Sequence, residues 1–261
     1  MSALVPTLAR TGEAELAYID LPPEEGTGNG GIVLLIHGFA STHGVNWIAP
    51  GWTKTLTRAG YRVVAFDNRG HGRSQKFYLP ADYDTAKMAE DARVILDHLR
   101  IERAHVMGYS MGARITSSLA LTHPARVRCC LLGGLGIHLV RGVGLPIGIA
   151  DAMEATSIDA LSDPTQRMFR AFADANRQDL RALAACIRGT RQTLTGEEVG
   201  RIAAPTLISV GTKDHIAGSA AELAALMPNA RVLDIPNRDH NLAVGDRVHK
   251  EGVLAFLAAE G

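Results

Sequence analysis

The pentapeptide Gly108-Tyr109-Ser110-Met111-Gly112 has a residue pattern that could carry nucleophilic chemistry. It follows a short apolar run that ends at Met107 and precedes a segment of helical periodicity. A serine on a sharp strand-to-helix turn has a strained backbone, and small residues two positions before and after it allow the chain to bend. The N-terminus of the following helix favours negative charge beside the serine. The sequence therefore predicts that Ser110 is a nucleophile and that Gly108 and Gly112 make room for it.

A serine hydroxyl needs a base that takes its proton and a carboxylate that orients the base. Asp214 follows a strand predicted at residues 206–210, and His240 follows a strand predicted at residues 231–235. The carboxyl ends of parallel strands lie along one edge of a sheet, which is also the edge of the turn that carries Ser110. We therefore expect Ser110, Asp214 and His240 to converge as nucleophile, orienting acid and base.

Two neighbouring residues are rivals for these roles. His215 is adjacent to Asp214, and Asp239 is adjacent to His240. Neighbours on one tight turn generally point apart, so we expect His215 to lie at the surface or behind the catalytic groups, and Asp239 has the same difficulty as an orienting acid. The loop after the strand predicted at residues 127–132 contains no acid at all. Position along the chain thus favours Asp214 and His240.

Negative charge on a reacting carbonyl needs two hydrogen-bond donors, and two backbone N–H groups are candidates. Met111 directly follows the nucleophile. The strand predicted at residues 32–36 ends in His37-Gly38-Phe39-Ala40, where Gly38 lets the backbone turn and the N–H of Phe39 can face the same sheet edge. His37 is interpreted as a packed, hydrogen-bonded histidine that supports this loop.

Short β-rich runs alternate with longer segments of helical period, which predicts a parallel sheet covered by helices. The predicted strands are residues 4–9, 16–21, 32–36, 62–66, 104–107, 127–132, 206–210 and 231–235, the first two forming an antiparallel pair. Helices are predicted at residues 85–100, 111–121 and 219–227 and from Asp246 onward.

Residues 137–200 interrupt this alternation because they offer no convincing strand. They predict a helical insertion that divides a core domain of residues 1–136 and 201–261. Two helices in the insertion place apolar residues at spacings of three and four, namely Met168, Phe169 and Phe172 and then Leu180, Leu183 and Ile187.

Seven arginines and four acidic residues lie between Arg167 and Arg201. This positive excess could attract an anionic tail of a substrate. A solvated helix face with ordinary surface arginines is the alternative, and the sequence favours it because exposed charge runs usually have that origin.

The composition excludes several classes of function. The 261 residues include 27 Lys+Arg and 27 Asp+Glu, and a formal net charge of zero gives no long-range attraction to nucleic acid or anionic membranes. Three cysteines cannot form an even disulfide framework, which indicates a reducing, cytoplasmic setting. No signal peptide is predicted, and no apolar run reaches the ~20 residues that span a bilayer. The expected partner is a small molecule.

A metal site is not predicted, because the histidines show no metal-ligand spacing and neither H-E-x-x-H nor Cys-x-x-Cys occurs.

With these motifs the chain resembles the α/β-hydrolase superfamily over nearly its whole length outside the insertion. The run Asp67-Asn68-Arg69-Gly70-His71-Gly72-Arg73-Ser74 is similar to the D-x-R-G-x-G-x-S turn found after the fourth strand in many members. We interpret this run as structural, with Arg69 anchoring loops by hydrogen bonds. The resemblance implies an eight-stranded, mostly parallel sheet and identifies residues 137–200 with a helical cap. Asp239 is a departure, since many relatives have glycine before the catalytic histidine.

Serine at position 110 argues against the haloalkane dehalogenases and epoxide hydrolases of the superfamily, whose members use aspartate there. The resemblance implies a serine esterase without a cofactor that cleaves a carboxylic ester of a small or medium apolar acyl group. A thioesterase, a lactonase or a C–C bond hydrolase would use the same Ser110, His240 and Asp214. A small-molecule sensor with the same pocket also stays open.

Overall fold

The computed structural model describes residues 6–142 and 144–260, and within them eight strands form one sheet in the order β1-β2-β4-β3-β5-β6-β7-β8. The strands are β1 (Thr7–Thr11), β2 (Ala14–Leu21), β3 (Ile32–Ile36), β4 (Arg62–Phe66), β5 (Ala104–Tyr109), β6 (Val127–Gly133), β7 (Thr206–Gly211) and β8 (Ala230–Ile235). β2 pairs antiparallel with β1 and with β4, and every other neighbouring pair is parallel. This confirms the predicted fold class.

Ten α-helices occur in the same residues. They are α1 (Trp52–Arg58), α2 (Thr85–His98), α3 (Met111–Thr122), α4 (His138–Arg141), α5 (Gly148–Glu154), α6 (Pro164–Ala175), α7 (Leu180–Gly189), α8 (Gly196–Gly200), α9 (Ala220–Ala224) and α10 (Arg247–Glu260). The apolar stripes predicted within the insertion are confirmed as α6 and α7. Each begins at an aspartate whose carboxylate accepts backbone N–H groups of the first turn, Asp163 for α6 and Asp179 for α7.

The strands predicted at residues 32–36 and 62–66 have the bounds of β3 and β4, and the others differ at their ends. Residues 4 and 5 of the first predicted strand lie outside the described residues. β5 extends two residues beyond the predicted strand, because Tyr109 still pairs with Gly133 of β6. β7 extends one residue beyond its predicted strand, because Gly211 pairs with Ile235 of β8. Backbone pairing therefore continues past the last apolar side chain.

Helix α1 was not predicted. Three of its seven residues are threonines, which are β-branched and poor helix formers. Trp52 and Leu56 are fully buried, and the indole Nε1 of Trp52 donates to the carbonyl of Val244 at 2.7 Å. Tertiary packing thus stabilises a helix that local propensity disfavours.

Both faces of the sheet are covered, which explains why β3 is apolar at every position. Successive side chains of a strand point to opposite faces, so Leu34 and Ile36 join one core while Val33 and Leu35 join the other. Helices α2 and α3 pack on the first face, and α1 and α10 pack on the second. The carboxyl ends of the parallel strands are left uncovered by these helices and carry the candidate site.

Arg69 anchors its loop by hydrogen bonds, as predicted, and its partners lie on helix α2 and on the turn before that helix. Its guanidinium donates two bonds to the carboxylate of Asp91, at 2.6 and 2.8 Å, and a third to the carbonyl of Asp82. Both side chains of the ion pair are at least 95% buried. Burial raises the pKa of Asp91 even though Arg69 opposes the shift, so the carboxylate depends on its partner.

Replacing Arg69 by methionine is expected to lower the free energy of unfolding by about 3–5 kcal/mol, because Asp91 would remain buried without a counter-ion. Arg62→Met is the matched control. The guanidinium of Arg62 makes a similar bidentate contact with Asp20, but both side chains are about one-third exposed. The free energy of unfolding should therefore fall by only about 0–1 kcal/mol. Denaturant unfolding measures both values, and equal losses would contradict the interpretation.

Candidate active site

Ser110 lies between the last residue of β5 and the first residue of α3. Its backbone has φ 55° and ψ −112°, a conformation that non-glycine residues rarely adopt. The Ser110 N–H donates to the carbonyl of Gly133 on the neighbouring strand at 2.8 Å. The sharp turn therefore holds the serine at the sheet edge, at the N-terminus of α3.

The glycines on either side of Ser110 have no room for a side chain. A Cβ on Gly108 would lie 2.1 Å from the carbonyl oxygen of Gly112. A Cβ on Gly112 would lie 2.0 Å from the carbonyl oxygen of Ile36, at the end of β3. The start of α3 thus packs directly against β5 and β3, which requires glycine at both positions.

Asp214 and His240 form a hydrogen-bonded pair. His240 Nδ1 lies 2.7 Å from Asp214 Oδ2, and Asp214 Oδ1 accepts the backbone N–H groups of Ile216 and Ala217 at 2.8 and 3.0 Å. The Asp214 side chain is fully buried and that of His240 is 11% exposed. A carboxylate only accepts hydrogen bonds, so Nδ1 carries the proton and Nε2 is left as a base.

The loops that carry these two residues are joined to each other. The N–H of Thr212 donates to Ile235 O, and the N–H of Lys213 donates to Arg238 O at 2.9 Å. A Cβ on Gly211 would lie 2.2 Å from Arg238 O, so the two loops are in close contact. The pairing of β7 with β8 therefore extends into the loops and brings Asp214 to His240.

The rival residues lie elsewhere. His215 is exposed. Asp239 is also exposed, and its Oδ1 accepts the backbone N–H groups of Asn241 and Leu242 at 3.0 and 2.8 Å. Asp239 thus stabilises the turn that follows it, while Asp214 contacts the imidazole of His240.

Tyr109, the residue before Ser110, contacts His240. Its hydroxyl donates to the carbonyl of His240 at 2.6 Å, and its ring centroid is 5.5 Å from the imidazole centroid. Burial raises the pKa of Tyr109 far above its usual value, so the hydroxyl keeps the proton it donates. The sequence identified Tyr109 only as a member of the pentapeptide, and no spacing rule connects it to a residue 131 positions away.

The loop after β3 lies against Ser110. A Cβ on Gly38 would be 3.2 Å from Tyr109 O and 3.5 Å from Ser110 Cβ. Within the described residues, neither the N–H of Phe39 nor the N–H of Met111 donates a hydrogen bond. Both donors are therefore available beside Ser110.

His37 and Asn46 hold this loop. His37 Nδ1 lies 2.7 Å from Gly38 O, and its Nε2 accepts the N–H of Asn68. Burial lowers the pKa of His37 to about 4, so the ring is neutral, in agreement with its predicted supporting role. Asn46 Oδ1 accepts the N–H of Gly38 at 2.9 Å. Asn46 was not predicted as a site residue, since it lies on a short π-helical turn, Gly44–Ile48, that carries no recognisable motif.

A cavity of about 670 Å³ opens above Ser110 and His240, a size typical of small-molecule sites. The loop after β3, the His240 loop and helix α6 form its walls, the last through Met168, Phe169 and Phe172. The described residues that line it include no Asp, Glu, Lys or Arg. The large cavity is therefore mainly apolar.

The arginines between Arg167 and Arg201 do not line the large cavity. Arg170 pairs with Asp174, and Arg188 pairs with Glu154. Arg167 donates to the carbonyls of Ile158 and Leu161. These contacts disfavour steering of an anionic substrate by this group, although Arg170 is buried and is not an ordinary surface arginine.

The described residues also bear on the expectations about membrane spans, metal sites and cysteines. No helix among residues 6–142 and 144–260 is long and apolar enough to cross a membrane. The same residues contain no group of three or more His, Cys, Asp or Glu side chains arranged to hold a metal ion. Cys129, Cys130 and Cys186 are buried free thiols, and burial raises the pKa of each.

Comparisons with known proteins agree with the fold described above. A family model described as alpha/beta hydrolase fold matches residues 31–152. The dihydrolipoyllysine-residue acetyltransferase component of the acetoin cleaving system of Pseudomonas putida is 30% identical, over 97% of this chain and 69% of that protein. Epoxide hydrolase B of Mycobacterium tuberculosis is 36% identical, but the match spans 50% of this chain and 35% of that protein.

Among solved structures, a hydrolase from Pseudomonas aeruginosa superposes with a TM-score of 0.80 and 25% identity. The superposition covers 98% of this chain and 99% of the other. The two proteins therefore have a similar fold over nearly their whole lengths.

Proposed function

Because the chain belongs to the α/β-hydrolase family, we propose that it hydrolyses a carboxylic ester through Ser110, His240 and Asp214. The observation that carries the proposal is the buried Asp214–His240 pair, whose imidazole lines the same cavity as Ser110. An imidazole fixed by a carboxylate beside a strained serine is the arrangement that activates a hydroxyl for acyl transfer.

The serine also favours acyl transfer over the epoxide opening named for one relative. Attack by a serine hydroxyl on an epoxide carbon would give an ether, which water does not readily cleave. Attack on an ester carbonyl gives an acyl-enzyme, itself an ester, which water can cleave by the same route. Ser110 therefore supports turnover of esters.

In the proposed mechanism His240 Nε2 removes the hydroxyl proton as Ser110 Oγ attacks the carbonyl carbon. The N–H groups of Phe39 and Met111 stabilise the resulting oxyanion. The tetrahedral intermediate expels the alcohol, which takes the proton from His240. Water, deprotonated by His240, then attacks the acyl-enzyme and releases the acid and Ser110.

The large cavity supports a substrate with a small or medium apolar part. We propose that residues 137–200 act as a cap whose helix α6 closes the cavity. Met168 and Phe172 are 40% and 36% exposed, as apolar residues at the mouth of a binding cavity would be. The reduced thiols fit a cytoplasmic location, and the proposed partner is a small-molecule ester.

A panel of p-nitrophenyl esters from acetate to decanoate, assayed on the protein and on Ser110→Ala, tests the proposal. We expect multiple turnover with an optimum at one chain length, and only background hydrolysis by the variant. Equal rates for the two proteins would contradict it. A single slow turnover would instead favour a small-molecule sensor. If thioesters, lactones and C–C substrates are assayed in parallel, turnover confined to one of these classes would favour the corresponding hydrolase.

Asn46→Ala is expected to lower kcat about 10- to 100-fold with a much smaller change in KM, because Gly38 would lose the acceptor that fixes the Phe39 N–H. Asn229→Ala is the control. Its exposed amide contacts only the carbonyl of Ala203 and lines no part of the large cavity. Steady-state kinetics on both variants measure kcat and KM separately. A change confined to KM would contradict the role given to Asn46.

A further inference from the structure

A second, much smaller cavity lies on another side of Ser110. Its volume is about 30 Å³, and its walls include Phe39, Ser110, Met111, Arg114 and Ile187. A space of this size accommodates a water molecule or a group as small as a carboxylate. It shares Phe39 and Ser110 with the large cavity, so one substrate can reach both.

Arg114 is four residues after Ser110 on α3, and residues at this spacing lie on the same helix face. Its side chain is buried, with 6% of the residue exposed. NH2 donates to the carbonyls of His138 and Gly142, but buried NH1 has no hydrogen-bond partner among the described residues. Part of the guanidinium therefore has hydrogen-bonding capacity that nothing in the described structure uses.

Arg114 also lacks a counter-ion. Of the three arginines buried in the described part of the chain, Arg69 pairs with Asp91 and Arg170 pairs with Asp174, whereas no carboxylate contacts Arg114. Burial and the nearby charge of Arg191 lower the pKa of Arg114 to about 10, so it remains positive at neutral pH. A buried charge without a partner is unfavourable, and a bound anion would relieve it.

The two cavities are suited to different parts of the ester. His240 lines the large cavity but not the small one. Since His240 must hand its proton to the departing alcohol, the alcohol belongs in the large cavity. The acyl group then extends into the small cavity towards Arg114.

We propose that Arg114 binds a carboxylate at the far end of the acyl group, so that the substrate is a half-ester of a short dicarboxylic acid with an apolar alcohol. This inference rests on the proposed ester hydrolysis. It replaces the apolar acyl group expected from the sequence with a short anionic one, and it assigns the apolar cavity to the alcohol.

Hexyl hemisuccinate and hexyl 4-methylpentanoate test the proposal, because they differ mainly in a carboxylate replaced by an isopropyl group. An alkyl leaving group is required, since the free carboxylate of an activated aryl half-ester would expel it without the enzyme. Released hexanol gives kcat/KM for each ester. We expect the native protein to prefer the half-ester by at least about 30-fold, and Arg114→Gln to reduce this preference about 10- to 100-fold.

Arg188→Gln is the matched control, since it removes the same charge from a partly exposed arginine that pairs with Glu154 and lines neither cavity. A preference retained in Arg188→Gln and lost in Arg114→Gln supports a local site. Equal losses in both variants, or no preference in the native protein, would overturn it.

Calorimetry on the Ser110→Ala protein gives a second measurement that needs neither turnover nor an Arg114 variant that folds. We expect this protein to bind hexyl hemisuccinate at least about tenfold more tightly than hexyl 4-methylpentanoate. Equal affinities would overturn the proposal. Preferential binding by a native protein that hydrolyses neither ester would refute ester hydrolysis and leave the anion site standing.

Discussion

Ser110→Ala is expected to lower kcat for ester hydrolysis about 10⁴- to 10⁶-fold while leaving the fold intact. The hydroxyl contributes no hydrogen bond to the described structure, whereas the backbone bond from Ser110 N to Gly133 O would remain. The acyl-enzyme cannot form without the oxygen, so only the oxyanion donors and binding would still accelerate the reaction. Steady-state rates with the best p-nitrophenyl ester measure the loss.

Ser41→Ala is the control for that experiment, because Ser41 is a buried serine that also lines the large cavity. Removing the Ser41 hydroxyl should reduce kcat less than about tenfold, since Ser41 does not contact the Asp214–His240 pair. A larger loss in Ser41→Ala than in Ser110→Ala would show that the nucleophile has been misassigned.

Asp214→Asn should lower kcat about 10³- to 10⁴-fold. Two backbone N–H groups point at Oδ1, so the amide oxygen of asparagine must take that position and its NH₂ must face His240. Nδ1 of His240 would then accept a hydrogen bond, and the ring proton would move to Nε2. The imidazole would present a donor to Ser110 where the mechanism requires a base.

Asp239→Asn provides the matched comparison, since it makes the same chemical change at the residue adjacent to His240. Its carboxylate contacts only backbone N–H groups of the following turn, so kcat should change less than about threefold. The assignment of the acid would be wrong if Asp239→Asn caused the greater loss, or if Asp214→Asn lost less than about tenfold.

The convergence of Asp214 and His240 could be predicted because it depends on one property of parallel sheets. Each residue follows the carboxyl end of a strand, and the ladder between β7 and β8 fixes how the two loops meet. The serine turn has a comparably local basis, since its glycines and its position between strand and helix are visible in sequence. Local signals and sheet topology therefore locate the polar groups at this edge.

Other features depend on packing between distant segments and leave no local signal. Helix α1 forms because Trp52 is buried and bonded to Val244, although its threonines disfavour a helix. The hydroxyl of Tyr109 contacts the backbone of His240, far along the chain. Arg114 looks like any helical arginine in sequence, and only the three-dimensional structure shows that it is buried without a carboxylate.

Covalent labelling with a fluorophosphonate tests the central claim most directly, because the probe reacts with a serine that a neighbouring base has activated. The labelled protein is digested, and peptide mass spectrometry locates the adduct. The account predicts one adduct per chain, on Ser110, absent from Ser110→Ala and strongly slowed in Asp214→Asn. An adduct on another residue, or equal labelling of Ser110→Ala, would contradict it.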